Sequence, residues 1–366
     1  MTYDNDFHYH IVSGKITRQV METSFYFLSI IDNDYRYCCF KLYIVRKNSS
    51  VKIRYLIILL FLLSLISLFI GVSPVNIHGI LSFDQEQIQV LLISRFPRLI
   101  SIIIAGVSLS ICGLIMQQLT RNKFVSPTTA GTMDSARLGV LVALMLFTSA
   151  SPIQKMLVAF VFALVGTFIF MKILDSIKVK DRIFIPLVGL MFGNVIGSIT
   201  TFFAYKNDLI QSIGSWLQGD FSTIISGQYE LIYLSVPLMV IAYLYANKFT
   251  IAGMGEDFAT NLGLPFKQIV NIGLVIVALV SSIVLLTVGM IPFLGLIIPN
   301  IVSMYAGDHL KNSLPQTALL GAVFVLICDI LGRVIIYPYE ISIGMMVGVI
   351  GSGIFLYMLI RRKAYE

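Results

Sequence analysis

The sequence predicts an all-α integral membrane protein with about ten transmembrane helices and with both termini in the cytoplasm. Hydrophobic residues make up 57% of the 366 residues and charged residues only 12%, whereas ordinary soluble domains are about 25% charged. The apolar residues form continuous runs near the ~20 residues that a membrane-spanning helix needs. A transmembrane barrel would show alternating segments of about ten residues instead, so the runs indicate helices.

Ten apolar runs after Val51 are the predicted spans. They lie at approximately 53–72, 91–119, 130–150, 155–176, 183–205, 228–246, 268–290, 291–306, 315–336 and 341–360. The eighth run is short and contains Pro299, so its limits are the least sharply defined. We therefore treat residues 51–366 as one membrane domain.

Residues 1–50 differ in composition from this domain, because they mix acids, bases and tyrosines and contain no apolar run long enough to span. The first apolar run comes too late for a signal peptide. Two interpretations are open: a disordered cytoplasmic tail, or a mis-annotated start with translation beginning near Val51. The second is slightly preferred, because the sequence from Val51 resembles the start of a membrane protein.

Basic residues predict the orientation of the spans. If the chain before the first span is cytoplasmic, the outer segments contain only five basic residues. These are Arg95, Arg98, Lys155, Lys206 and Arg333. The cytoplasmic segments contain most of the others, as the positive-inside rule requires. The net charge of +7 thus reflects topology and gives no indication of nucleic-acid binding.

Motifs for catalysis or cofactor binding are missing from the sequence. It has no phosphate-binding loop, zinc motif or nucleophile elbow, and its four cysteines show no metal or redox spacing. Within the spans the ionisable residues are chiefly Arg137 and Asp329. A proton- or sodium-coupled carrier needs buried acids or broken-helix ion sites, for which Asp329 alone is thin support. We predict a conduit that is not an enzyme, binds no metal or cofactor, and has no energy source of its own.

A polar segment, residues 253–268, separates two apolar runs on the predicted cytoplasmic side. Following Gly255, Glu256 and Asp257 suit the first turn of a helix, where the positive end of the dipole favours acids. Gly263 suits the end of that helix. One helical face is expected to contain Phe258, Ala259 and Leu262. An apolar face on a cytoplasmic helix predicts a docking partner.

Arg95-Phe-Pro-Arg98 marks the predicted outer end of the second span. Proline is common at a helix start, where its missing N–H leaves nothing unsatisfied. The two arginines have two possible roles. They either reach towards lipid headgroups, or they form with Arg333 an outward basic patch that docks an acidic partner.

Small residues recur every four positions in two spans, which allows helices to approach closely. They are Gly189, Gly193 and Gly197 in the fifth span, and Gly344 and Gly348 in the tenth. This spacing serves either packing within the chain or a surface that faces a pore or a second subunit. The fifth span also contains Asn194, Ser198, Thr200 and Thr201. Polar side chains in lipid are costly unless they pair or face water, so this face predicts a water-filled path.

Five motifs occur in a fixed order along the chain. They are Arg95-Phe-Pro-Arg98, Gly289-Met-Ile-Pro-Phe-Leu-Gly-Leu-Ile-Ile-Pro299, Gly307-Asp308-His309 with Leu314-Pro315, Asp329-Ile-Leu-Gly-Arg333, and Pro338-Tyr-Glu-Ile-Ser-Ile-Gly344. Together they resemble the FecCD/BtuC-like permease subunits of type II ABC importers, which move iron–siderophore complexes, haem and vitamin B12. The resemblance covers about residues 85–366.

Two positions and one segment depart from the usual family pattern. Asn300 stands where histidine is usual, and Ser342 replaces a proline. The segment Arg121-Asn-Lys-Phe-Val-Ser-Pro-Thr-Thr-Ala-Gly-Thr132 is similar to the siderophore-importing subgroup associated with catecholate-type ligands. The resemblance therefore favours a ferric siderophore over haem or vitamin B12.

The resemblance also implies residue roles and partners. Arg95, Arg98 and Arg333 would dock an extracellular substrate-binding protein. Two separate cytoplasmic ATPases, which hydrolyse the ATP, would bind the coupling element, represented by Gly255, Glu256, Asp257, Leu262 and Gly263. A homo- or heterodimer of permeases in the cell membrane would enclose a path lined by Asn194, Ser198, Thr201, Trp216, Gly344 and Gly348.

The predicted function is the multi-pass permease subunit of an ABC importer for a ferric siderophore. The alternative within this class is a haem or vitamin B12 permease. The alternative from another class is a proton-coupled secondary transporter that uses Asp329, whose uptake would persist without an ATPase. The high Ile, Lys and Asn content favours an AT-rich Gram-positive source, in which the binding protein would be a lipoprotein.

Overall fold

The fold is all-helical in a computed structural model that describes residues 53–71, 85–127, 131–147, 149–176, 184–227, 229–307 and 309–363. The predicted tail, residues 1–50, lies outside the described residues. Within the described ranges we number the helices in chain order. They are α1 Ile53–Phe69, α2 Gln85–Thr120, α3 Thr132–Leu146, α4 Pro152–Ser176, α5 Phe184–Lys206, α6 Ile210–Leu217, α7 Ser235–Ala252, α8 Glu256–Asn261, α9 Phe266–Val288, α10 Leu294–Ala306, α11 Leu310–Val334 and α12 Ile343–Lys363.

Each of the ten predicted spans overlaps one of these helices. Among the described residues, six helical stretches are long and apolar enough to cross a membrane. They are α2, α4, α5, α9, α11, and α7 together with the 3₁₀ turn Glu230–Leu234 that precedes it. Apolar stretches in α1, α10 and α12 are shorter. The all-helical class is thus confirmed, whereas the count of ten spans and the orientation of the termini stay predictions.

The second span begins earlier than the sequence predicts. Helix α2 starts at Gln85 and runs through Pro97 instead of beginning near it. A π-helical turn at Leu91–Arg95 precedes the proline, and its last bond runs from the Phe96 N–H to the Leu91 carbonyl. The wider turn allows the chain to pass a residue without an N–H while the helix continues.

Helix α2 is the centre of the packing. Of its most apolar window, 78% is buried, against 22% for α5. Two glycines bring neighbouring helices close to it: a Cβ at Gly106 would lie 2.8 Å from Ala322 Cα, and one at Gly113 would lie 1.9 Å from the Gly295 carbonyl oxygen. Helices α11 and α10 therefore pack on α2 at the level of the backbone, which larger residues would prevent.

Candidate functional site

Three arginines and two acids gather where α2, α11 and the loop before α12 meet. We call Arg95, Arg98, Asp329, Arg333 and Glu340 the arginine cluster. Arg98 donates from Nε and Nη2 to Asp329 Oδ1, at 3.2 and 2.8 Å, and from Nη1 to Glu340 Oε2 at 2.8 Å. The other Asp329 oxygen, Oδ2, accepts from Arg333 Nη2. One buried carboxylate thus joins two guanidinium groups.

Arg333 lies inside the protein, with its side chain shielded from the exposed surface. It is 3% exposed, and its Nη1 donates to the carbonyl oxygens of Ser67 (3.0 Å) and Ile70 (2.8 Å) at the end of α1. A buried charge is costly unless it is paired and hydrogen-bonded. The carbonyls at a helix C-terminus carry partial negative charge, so α1 and Asp329 together bind the two terminal nitrogens of this arginine, whereas its Nε is buried without a hydrogen-bond partner among the described residues.

Arg95 and Arg98 line an open pocket of about 520 Å³. Arg95 is buried, donates to the Ile70 carbonyl, and fits against Gly71, where a Cβ would overlap its guanidinium. The Arg98 and Glu340 side chains are 11% and 24% exposed. The remaining lining residues are Glu86, Gln89, Val90, Ile93, Ser94 and Ser222. The arginines bind groups of their own chain, which neither sequence interpretation anticipated.

Asp329 has a structural explanation. Both of its carboxylate oxygens accept hydrogen bonds from arginines, and its side chain is 2% exposed. The ion pair with Arg333 joins residues four apart on one helix face, a spacing that the sequence displays. In the part of the chain that the structure describes, no three His, Cys, Asp or Glu side chains gather as a metal site requires.

At the far end of α2 the chain forms an elbow between α7 and α9. We call residues 253–263 the elbow. It contains the predicted short helix, α8, with Glu256 and Asp257 in its first turn and a turn at Gly263 with φ +76°. The N–H of Leu264 bonds to the Ala259 carbonyl at 2.9 Å, which closes the helix end. The Thr260 hydroxyl also donates a hydrogen bond to the Glu256 carbonyl oxygen, one turn earlier in α8.

Two residues at the C-terminal end of α2 contact the elbow: Gln118, and Arg121 directly after the helix. Sequence reasoning assigned neither of them this role. Gly255 has φ +130°, and a Cβ there would lie 2.1 Å from Arg121 Nη2. Gly253 fits against the Gln118 amide in the same way, and Gln118 Nε2 contacts the Thr250 carbonyl at 3.5 Å. Glycine is required at Gly255, because side chains rarely adopt this backbone region.

The exposed face of α8 differs in one residue from the predicted face. Phe258 and Leu262 are 48% and 57% exposed, whereas Ala259 is fully buried. Ala259 therefore packs against the bundle, and Met254, which is 57% exposed, joins the other two. We call Met254, Phe258 and Leu262 the coupling face.

The small residues of α5 and its Thr200 pack within the chain, whereas three of its polar residues do not. A Cβ at Gly193 would lie 2.4 Å from Asp134 Oδ2, and one at Gly197 would lie 3.7 Å from Asp134 Oδ1. The glycines thus leave room for the Asp134 carboxylate of α3. Asn194, Ser198 and Thr201 lie on the exposed surface of α5, where Ser198 and Thr201 also bond to carbonyls one turn earlier.

The other predicted path residues, Trp216, Gly344 and Gly348, lie near the point where the backbone segments around Gly219, Met290 and Gly344 contact one another. Gly219 was not singled out from the sequence, yet a Cβ there would lie 2.3 Å from the Met290 carbonyl oxygen. The Gly344 N–H bonds to the Gly219 carbonyl at 3.1 Å, and Gly348 lies one turn further along α12. Trp216 lines a neighbouring pocket of about 460 Å³, together with polar residues. Those residues are Ser215, Gln218, Asp220, Thr223 and Thr287.

Comparisons with known proteins agree with this architecture. The chain is 69% identical over 315 residues to the petrobactin import system permease protein YclN of Bacillus subtilis (strain 168). The matched residues cover 86% of this chain and 100% of that relative. The chain is 38% identical over 306 residues to the ferric-anguibactin transport system permease protein FatD of Vibrio anguillarum, covering 84% of this chain and 98% of the relative.

A solved structure supports the fold. It is a metal-chelate type ABC transporter in an inward-facing conformation, with a TM-score of 0.76 and 23% identity, covering 84% of this chain and 98% of that one. At that identity the likeness concerns the fold alone. The model of the FecCD transport family matches residues 57–361. This range includes every motif that carries the resemblance, and the chain belongs to the FecCD transport family.

Proposed function

We propose that this chain is the permease subunit of an ABC importer that moves a ferric siderophore into the cytoplasm. The observation that carries the proposal is the 69% identity to a petrobactin import permease along that relative's whole length. Ferric petrobactin is therefore the first candidate substrate, within the catecholate-type class that the sequence favours. ATP is hydrolysed by separate subunits, and no step of covalent chemistry falls on this chain.

The arginine cluster is proposed to face outward and to receive the substrate-binding protein, a lipoprotein if the source is Gram-positive. Support comes from the pocket that Arg95 and Arg98 line. A carboxylate of the partner would form a charge-assisted bond with Arg98, which sets docking register and association rate. Arg333 would act from behind, because it fixes Asp329 and thereby the orientation of Arg98.

The elbow is proposed to face the cytoplasm and to bind the ATPase. The exposed coupling face supports this role, since apolar residues on a polar segment mark an interaction site. Glu256 and Asp257 at the start of α8, and the turn at Gly263, fix how that face is presented. Movement of the ATPase subunits would reach α2 through Gly255 and Arg121.

The exposed polar side of α5 is proposed to face a second permease subunit across the path, in a homo- or heterodimer. Asn194, Ser198 and Thr201 would then meet water in the path instead of lipid, which removes the cost of polar groups in a bilayer. Trp216, Gly344 and Gly348 would line its outer part.

Substrate competition in whole cells tests the proposal. A strain without this chain should lose uptake of radiolabelled ferric petrobactin and regain it with the wild-type gene. Excess haem or vitamin B12 should leave that uptake unchanged in the wild-type strain. Normal petrobactin uptake in the deletion strain, combined with lost haem or B12 uptake, would assign the chain to the alternative substrates.

A further inference from the structure

Two acids bind Arg98, and they differ in how firmly they are held. Asp329 belongs to α11, is 2% exposed, and bonds through both oxygens. Glu340 lies in the loop between α11 and α12, is 24% exposed, and contacts Arg98 from Oε2 alone at 2.8 Å. The Arg98 side chain therefore has one buried, shared partner and one partner at the pocket mouth.

The physical difference makes only one of these acids exchangeable. Removing the partner of a buried charge leaves that charge uncompensated, which is strongly unfavourable. A partly exposed pair contributes little, because the released carboxylate is hydrated again. A second carboxylate can restore the same charge-assisted bond to Arg98 Nη1. Replacing Glu340 by a second carboxylate therefore changes the free energy little, whereas replacing Asp329 would be strongly unfavourable.

The position of Glu340 places this exchange on an accessible surface. Glu340 and Arg98 both line the 520 Å³ pocket. The flanking loop residues Ile335, Tyr337 and Tyr339 are 59%, 64% and 75% exposed. Tyrosine is enriched at protein interfaces, particularly at their energetic centres. An acidic side chain of a partner that contacts this loop would meet Arg98 at the point that Glu340 occupies.

We propose that Glu340 is an internal competitor that tunes docking. In the free permease its carboxylate binds Arg98, and on docking a carboxylate of the substrate-binding protein replaces it while Asp329 stays in place. This inference rests on the proposed function. It makes Glu340 a residue that lowers the affinity for the binding protein, because its carboxylate must be displaced on docking.

The test measures docking to the permease–ATPase complex in lipid nanodiscs. The probe is a soluble petrobactin-binding protein from the source bacterium, titrated by surface plasmon resonance. Glu340→Gln keeps the size of the side chain and removes its charge. Since a partly exposed pair of this kind is worth on the order of 1 kcal/mol, the expected result is about two- to fivefold tighter docking, mainly through faster association.

A matched control separates this effect from net charge. Asp208 is exposed in the turn between α5 and α6, on the same predicted side, and its φ of +55° is one that asparagine tolerates. Asp208→Asn should leave docking unchanged. Equal tightening in both variants would overturn the proposal, because the effect would then come from net charge.

The remaining outcomes distinguish the inference from the function on which it rests. Unchanged or weaker docking in Glu340→Gln, with docking lost in a folded Arg98→Gln variant, overturns the competitor role and retains the docking site. If the wild-type complex binds no petrobactin-binding protein while a control complex does, the proposed function itself fails.

Discussion

The two ends of α2 solve different problems with different chemistry. Arg98 and Gln118 are 20 residues apart, which is about 30 Å along a helix. The Arg98 end is built from ion pairs between side chains. The Gln118 end is built from glycines that admit side chains of α2 against the backbone. An ion pair can exchange one partner for another, whereas segments in close steric contact have to move together. The first suits reversible docking and the second suits transmission of force.

The largest effect is expected when the buried carboxylate of the arginine cluster is removed. Asp329→Asn should lower the free energy of unfolding by about 3–5 kcal/mol, because it leaves the buried Arg333 guanidinium without its carboxylate and Arg98 with Glu340 alone. Thermal unfolding of the purified permease measures this. Glu340→Gln is the matched comparison and should cost less than about 1 kcal/mol. Equal losses in the two variants would contradict the distinction between fixed and exchangeable acids.

The next effect concerns the opposite end of α2. Gly255→Val should reduce siderophore uptake about tenfold or more, because a backbone near φ +130° costs of order 1–3 kcal/mol with a side chain. The permease should still copurify with its ATPase, and ATP hydrolysis should continue without uptake. Gly263→Val is the comparison that isolates the clash with Arg121: its φ of +76° imposes a backbone cost as well, but a Cβ there meets nothing within 4 Å, so it should lose less than Gly255→Val. Normal uptake in Gly255→Val would show that the elbow does not transmit force.

A smaller effect is expected on the coupling face. Replacing either Phe258 or Leu262 alone by serine should weaken ATPase binding by about 1–2 kcal/mol, because each variant removes one apolar side chain from the interface. Copurification of the ATPase under increasing detergent measures this loss. Asn261→Ser changes an exposed residue of the same helix and should have no effect. Loss of the ATPase in that variant as well would point to disruption of α8 instead of its face.

The smallest expected effect is a difference in how strongly salt weakens partner binding at the two ends of α2. Docking at the arginine cluster should weaken between about 0.1 and 0.5 M salt, because exposed charges are screened. ATPase binding at the apolar coupling face should change little over the same range. Parallel titrations of the two partners measure the difference. Equal salt dependence at both ends would remove the proposed contrast in chemistry.

The sequence predicted the elements well, because apolar runs, first-turn acids and turn glycines are local signals. The roles of the motif residues at both ends of α2 stay predictions. The sequence did not reveal that Arg333 is buried, and it placed Ala259 on the exposed face, since neither the carbonyls of α1 nor the packing of α8 is a local property. Contacts such as Gly255 with Arg121, or Gly219 with Met290, join distant segments, and only the folded chain reveals them.

The proposed function is tested most directly by transport in proteoliposomes. The permease, its ATPase and the binding protein would be reconstituted together, and uptake of ferric petrobactin would be followed with and without ATP. We expect uptake only when ATP, the ATPase and the binding protein are all present, with no change when the proton gradient is dissipated. Uptake that persists without the ATPase and follows the proton gradient would contradict the account.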